Sequence, residues 1–215
     1  MVSLVRLHGR RGCSAARRIG RPLVAATFTA MVVAWSGGAA GAADAPRLIA
    51  RKPIAAPSAF AGICTRYHWA CARAGRSTAS GSAEMTLARD VNRAVNRKVR
   101  EVSDLRQYGN DDVWALPTAK GGDCEDFALL KKKELIQRGV APQNLLIATV
   151  LDRRGGPHAV LVLRTSHGDF VLDNLDSRIL SWRQTGYTFL RMQDPSNPRR
   201  WNAVFSGGLI KLAGS

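Results

Sequence analysis

The first 43 residues hold no acidic side chain, and the whole 215-residue chain has only four histidines and four cysteines. Nor does any apolar run reach the ~20 residues that cross a bilayer as a helix. Each scarcity excludes something. The longest apolar run, residues 22–35, dissolves into Gly and Ala, so a spanning anchor is not expected after processing. Cys-x2-Cys or similar spacings are missing, which argues against a structural zinc site. Basic residues are nowhere interleaved with aromatics as a nucleic-acid platform requires, and no internal repeat points to a solenoid.

What is present is globular in composition, with 46% hydrophobic and 22% charged residues, enough for one domain with a core. The leader differs from the rest. It carries Arg6, Arg10, Arg11, Arg17, Arg18 and Arg21, then the apolar run, then a small-residue stretch ending Ala39-Ala40-Gly41-Ala42-Ala43. A basic start, a short apolar segment and an Ala-x-Ala site make residues 1–43 a secretory signal. Arg17-Arg18 raises a twin-arginine route, but Arg21 beside the apolar run favours the general secretory one. Its removal leaves 26 basic residues against 16 acids, lowering the net charge from +16 to +10. Residues 44–58, rich in Ala and Pro, read as a mobile lead-in, and 59–215 as a single domain.

Cys13 lies in the signal, and Cys64 and Cys71, seven apart, are expected to pair in an oxidising compartment. That makes Cys124 the odd cysteine of the exported chain. It sits in Gly121-Gly122-Asp123-Cys124-Glu125-Asp126-Phe127-Ala128, where two glycines allow close backbone approach and Asp123 is placed to cap a helix. A sulfur on the first turn lies where the helix dipole favours its anion.

Helical spacing of Leu87, Val91, Ala94, Val95, Val99 and Val102 predicts one helix, with Asn92 and Asn96 as a polar flank. A second runs over 123–138 and ends at Gly139. Lys131 falls on its Cys124 face without an evident reason. Loops are expected over 73–83 and 108–112. Strands follow at 145–151, 158–164 and 169–175, with further strand or irregular segments around Trp182, Tyr187, Phe189 and Trp201. Closing the 165–168 turn sets Arg164 opposite Asp169 and Val160 opposite Asp173, with His158 on the Asp173 face. The order is α+β: a nucleophile-bearing helix packed on an antiparallel sheet.

A cysteine nucleophile needs a base, and the base an orienter. His68 flanks the paired cysteines and His167 lies in a turn, which leaves His158, with Asp173 to accept its second N–H. The motif Gly122 to Ala128, with Trp114, Pro117, His158-Ala159-Val160-Leu161 and Leu172-Asp173-Asn174, resembles the bacterial transglutaminase-like cysteine proteinases, a branch of the papain-like and transglutaminase-like fold. The resemblance implies a periplasmic cysteine protease with Cys124 as nucleophile, His158 as base and Asp173 as orienter. It also implies a protein substrate at the cell surface or beyond, calcium in the best-known branch, and restraint by an inner-membrane receptor. The acids flanking the cysteine in that branch carry over to Asp123 and Glu125 as calcium ligands. Local charge points the same way, because carboxylates beside Cys124 oppose its ionisation unless a cation offsets them. Asn110, Asp111 and Asp112 are candidates for further oxygens, and capping or pairing with Lys and Arg is the alternative use of the acids. Two other functions share these residues: acyl transfer or amide hydrolysis of the transglutaminase type, and binding without catalysis.

Overall fold

The computed structural model describes residues 47–75 and 81–208; the signal sequence lies outside the described residues. Seven strands form one antiparallel sheet in the order β1-β7-β6-β2-β3-β4-β5. These are β1 (Pro53–Ile54), β2 (Leu145–Leu151), β3 (Pro157–Thr165), β4 (Gly168–Leu172), β5 (Leu180–Ser181), β6 (Thr188–Asp194) and β7 (Asn197–Ser206). The helices are α1 (Ile63–Arg66), α2 (Gly81–Lys98), α3 (Asp104–Tyr108) and α4 (Cys124–Gln137). Helix first, then meander, is the α+β plan the sequence implies, and the hairpin register pairs Arg164 with Asp169 as its turn demands.

Because side chains alternate across a strand, β2 and β3 feed two cores. Leu145, Ile147, Leu161 and Leu163 meet Phe127, Ala128, Leu129 and Leu135 of α4, with Ala88, Val91 and Val95 of α2 in the same cluster. Leu146, Ala148, Val150, Val160 and Val162 gather with Phe189, Met192 and Val204 in the second. Helix α4 is buried on nearly all sides, Lys131 and Lys132 included. Lys132 is wholly buried and donates to Gln193 Oε1 at 2.8 Å; Gln193 also accepts the Ile147 N–H and donates to Ala70 O and Pro198 O. One glutamine thus ties α4, β2, β6 and the start of β7 to the segment carrying Cys71. That segment is closed by the Cys64–Cys71 disulfide, its Cα atoms 5.4 Å apart. It also braces the irregular stretch before α4, through Arg66 Nη1 to Trp114 O and the Leu116 N–H to Tyr67 Oη.

Several boundaries differ from expectation, and α2 already begins at Gly81, inside the expected 73–83 loop. The lead-in is not loose over its described part: Leu48 is 3% exposed, its N–H goes to Asp169 Oδ2 and its carbonyl accepts Arg164 Nη2, while β1 pairs with β7. A buried ion pair between Arg164 and Asp169 supplies donors and acceptors that composition does not reveal. Helix α2 stops at Lys98, short of Val102, because the chain turns to lie beside the two glycines, with the Val102 N–H on Gly122 O and the Gly122 N–H on Arg100 O. Strand β4 stops at Leu172, so Asp173 stands just beyond the sheet.

Gly121 has φ +127°, and a Cβ there would lie 2.1 Å from Arg100 O, a backbone atom that cannot step aside. Gly121→Ala is therefore expected to lower stability by more than about 2 kcal/mol; urea unfolding that shows a change below half of that would contradict this reading of the pair. Separately, replacing Cys64 and Cys71 by Ala should cost roughly 2 kcal/mol on the same measurement, since the closed loop is short.

Candidate active site

Asp123 occupies the N-cap of α4 but makes no side-chain cap; its Oδ2 turns away to accept the Asp104 N–H at 3.2 Å. The expected capping role gives way because Asp123 belongs to a buried group of acids. Asp104, Asp123 and Glu125 each bring a carboxylate oxygen to within 4.8 Å of the others. Asp104 Oδ2 accepts the Val113 N–H, and Asp126 Oδ1 accepts the Ala115 N–H at 2.9 Å, so the 109–117 stretch wraps these acids.

Cys124, 2% exposed, begins the helix. Its Sγ lies 3.1 Å from Glu125 Oε2 and accepts the Ala159 N–H at 3.3 Å, which ties the helix start to the residue after His158. His158 Nε2 donates to Asp173 Oδ1 at 2.8 Å, and that oxygen also accepts the Leu175 N–H. Tyr187 Oη donates to Asp173 Oδ2 at 2.5 Å and its ring meets the imidazole edge-on. The other imidazole nitrogen, Nδ1, is buried with no hydrogen-bond partner. Cys124 and His158 line the same cleft, of about 350 Å³, together with Trp114, Thr149, Val150, Pro157, Leu190 and Arg191.

The electrostatics separate two kinds of carboxyl. Burial pushes Asp173 up, but hydrogen bonds from His158, Tyr187 and Leu175 and the charge of His158 outweigh it and hold the group below its ordinary value. Asp173 is thus an anion by design of its donors. The acids beside Cys124 go the other way. Burial, then the charge of Asp104, pushes Asp123 up to about 6; burial and then Asp123 raise Glu125 well above its ordinary range; burial takes Asp126 up to about 8 despite the Ala115 N–H. Asp104 is raised as well, mainly by burial. Burial lowers Lys131 to about 7 against the pull of Asp173; its Nζ has no hydrogen-bond partner and sits 5.6 Å from the Phe127 ring centroid. This is where the lysine on the Cys124 face goes: into the core beside Asp173.

The structure thus brings Cys124, His158 and Asp173 together, and Asp123 with Glu125. Asp111 and Asp112 lie at the cleft's lip, outside the trio of acids, with Asp112 Oδ1 accepting the Trp114 Nε1–H. His68 and His167 are away from the cleft lining. Sequence reasoning misses Asp104, 19 residues before Asp123, because it looks like an ordinary first-turn acid of a short helix. It also misses Tyr187, although a chain with three tyrosines offers few phenols to fill such a place.

The acid trio fits a hard cation. Ligand oxygens about 2.4 Å from one calcium ion lie up to about 4.8 Å apart, and Asp104 Oδ1 and Asp123 Oδ1 are buried with no hydrogen-bond partner.

The chain is similar to LapG of Legionella pneumophila in its calcium-bound form, with 25% identity over 60% of this chain and 75% of that one and a TM-score of 0.48. The EGTA-treated form is 28% identical over 50% of this chain and 62% of that one, with a TM-score of 0.45. No curated protein sequence matches the chain. The family model described as bacterial transglutaminase-like cysteine proteinase matches residues 50–208, most of the chain. With a cysteine at a helix start, a histidine on the adjoining strand and a family match across the sheet and all four helices, the chain belongs to the bacterial transglutaminase-like cysteine proteinases.

Proposed function

We propose that this cysteine proteinase is exported and cleaves a protein substrate through a Cys124–His158–Asp173 triad. The observation that carries the proposal is the imidazole of His158, whose Nε2 is committed to Asp173 and whose Nδ1 is left for a proton from Cys124. Cys124 Sγ transfers its proton to His158 Nδ1 as it attacks the scissile carbonyl; the imidazolium then protonates the leaving amine, leaving a thioester. Water attacks the thioester, giving its proton to His158, and releases the acid product and the Cys124 thiol. Asp173 fixes the ring and stabilises the imidazolium, and the α4 dipole favours negative charge on sulfur. Export is supported by the leader composition and by the Cys64–Cys71 disulfide, which suits an oxidising compartment such as the periplasm. Among the described residues no helix is long and apolar enough to cross a membrane. Restraint by an inner-membrane receptor belongs to the same reading.

Calcium is proposed at Asp104, Asp123 and Glu125. When bound it supplies positive charge that offsets the buried carboxylates beside Cys124, allowing the thiolate to form.

Cys124→Ala and His158→Ala are each expected to lower activity by about 10³ or more, and Asp173→Asn by a smaller or similar factor. The assay is cleavage of proteins shed or retained at the cell surface, compared between cells with and without the chain. A Cys124→Ala protein that still cleaves would end the proposal. Adding a labelled amine separates acyl transfer from hydrolysis: incorporation into a glutamine peptide assigns transfer, cleavage alone assigns proteolysis.

Stability should also depend on pH in a stated direction. Because the folded chain holds protons on Asp123 and Asp126 that the unfolded chain has lost, stability with a chelator present falls as pH rises from near the ordinary value of 3.8 through about 6 and on toward about 8. Calcium should restore it at the upper end, and Asp123→Ala or Glu125→Ala should blunt that response, with magnesium a poor substitute. Melting curves from pH 4 to 8, with chelator or with calcium, read this out; a calcium effect absent at pH 8 would remove the site.

A further inference from the structure

Beyond Leu172 the chain leaves the sheet and rejoins it only at Leu180, so the carbonyls of residues 173–179 have no strand to bond to. Helix α2 supplies donors instead. Asn96 Nδ2 donates to Asp173 O at 2.8 Å and to Ser177 Oγ at 3.2 Å; Asn92 Nδ2 donates to Asp176 O at 3.3 Å and Ser177 O at 3.2 Å. The two amides are one helical turn apart, on one face of α2. Asn92 is fully buried. Asparagine is a poor helix former, and both Oδ1 atoms are buried without a hydrogen-bond partner, so only the NH₂ groups are put to use here.

We propose that Asn96, seconded by Asn92, is a positioning residue that sets Asp173 against His158 by holding the Asp173 main chain. This rests on the reading of Asp173 as the group that orients His158. The Asp173 carboxylate is met by three donors, from His158, Leu175 and Tyr187, which fix its oxygens. They do not fix the backbone from which it hangs, and that is what Asn96 grips. The helix providing the grip also packs, through Ala88, Val91 and Val95, in the core shared with α4. A single rigid helix therefore references both the element that starts with Cys124 and the loop that starts with Asp173. The polar flank of α2 is thereby a gauge of the separation between nucleophile and orienter.

The charged groups around Asp173 are Lys131 on α4, His158 on β3, Asp176 and Arg178 on its own loop and Arg153 in the turn after β2, with Tyr187 before β6. None of them is removed by changing Asn96, so a change in the imidazolium's stability can be traced to placement.

The test is the pH profile of Cys124 alkylation by iodoacetamide, with the histidine resonances followed by NMR, in full-length processed protein carrying Asn96→Ala, Asn96→Ser, Ser177→Ala or Asp173→Asn. A misplaced Asp173 supports the imidazolium less well, so thiolate formation moves to higher pH. In Asn96→Ala and Asn96→Ser the alkylation midpoint should rise by roughly half a pH unit or more, with the His158 midpoint falling, at an unchanged high-pH plateau. Asn96→Ser keeps a hydroxyl on the same face that is too short to reach Asp173 O, and serves if the alanine variant does not fold. Ser177→Ala, which removes only the second acceptor of Asn96, should behave as wild type. If Asp173→Asn shifts both midpoints while neither Asn96 variant does, the positioning role is refuted and the triad stands. If Asp173→Asn shifts nothing, the triad reading itself fails and this inference falls with it.

Discussion

Buried carboxylates are costly, and the nucleophile end of α4 is built around that cost. Asp104, Asp123, Glu125 and Asp126 are all buried, and Glu125 reaches the Cys124 sulfur. Part of the cost is offset by backbone donors, from Val113 to Asp104, Ala115 to Asp126 and Asp104 to Asp123. To deliver those N–H groups the 109–117 stretch must curl over the helix start, and in doing so it presents Trp114 and Asp112 to the cleft. The glycine at 122 follows from the same need, since a side chain there would collide with Asp126. The cleft wall and Gly122 are consequences of one electrostatic arrangement.

Much of this was legible where the physics is local. The β3–β4 hairpin is fixed by a short turn and an alternating pattern, so the opposition of Arg164 and Asp169 could be read from spacing, and with it the nearness of Asp173 to His158, although Asp173 lies beyond the last strand pair. The start of α4 was legible for the same reason: glycines, an acid and then an apolar run. What could not be read depends on residues distant in sequence. Asp104 joins Asp123 only because residues 100–102 lie beside the glycines. Leu48 docks only because Asp169 and Arg164 are ready for it 121 and 116 residues later. Asn92 and Asn96 look like an idle flank until the loop that needs their donors is in place.

Two buried lysines on α4 show how differently the same residue type can be used. Lys132 has a hydrogen-bond acceptor in Gln193 and so links the helix to the sheet. Lys131 has an aromatic face and the field of Asp173 in place of an acceptor. Burial pushes both toward the neutral form at physiological pH, which avoids the larger cost of an unpaired buried charge.

The sheet order has a consequence for the timing of synthesis. Every strand that faces α4 is C-terminal to it, and β1 near the start of the domain must wait for β7 near its end. A ribosome therefore releases Cys124 before His158 and Asp173, and strand β1 has no partner until the last strand is made. Such long-range closure makes folding slow and late. It also means that an emerging chain carries the cysteine without the groups that would arm it, so a partly made proteinase is inert toward its neighbours and toward itself.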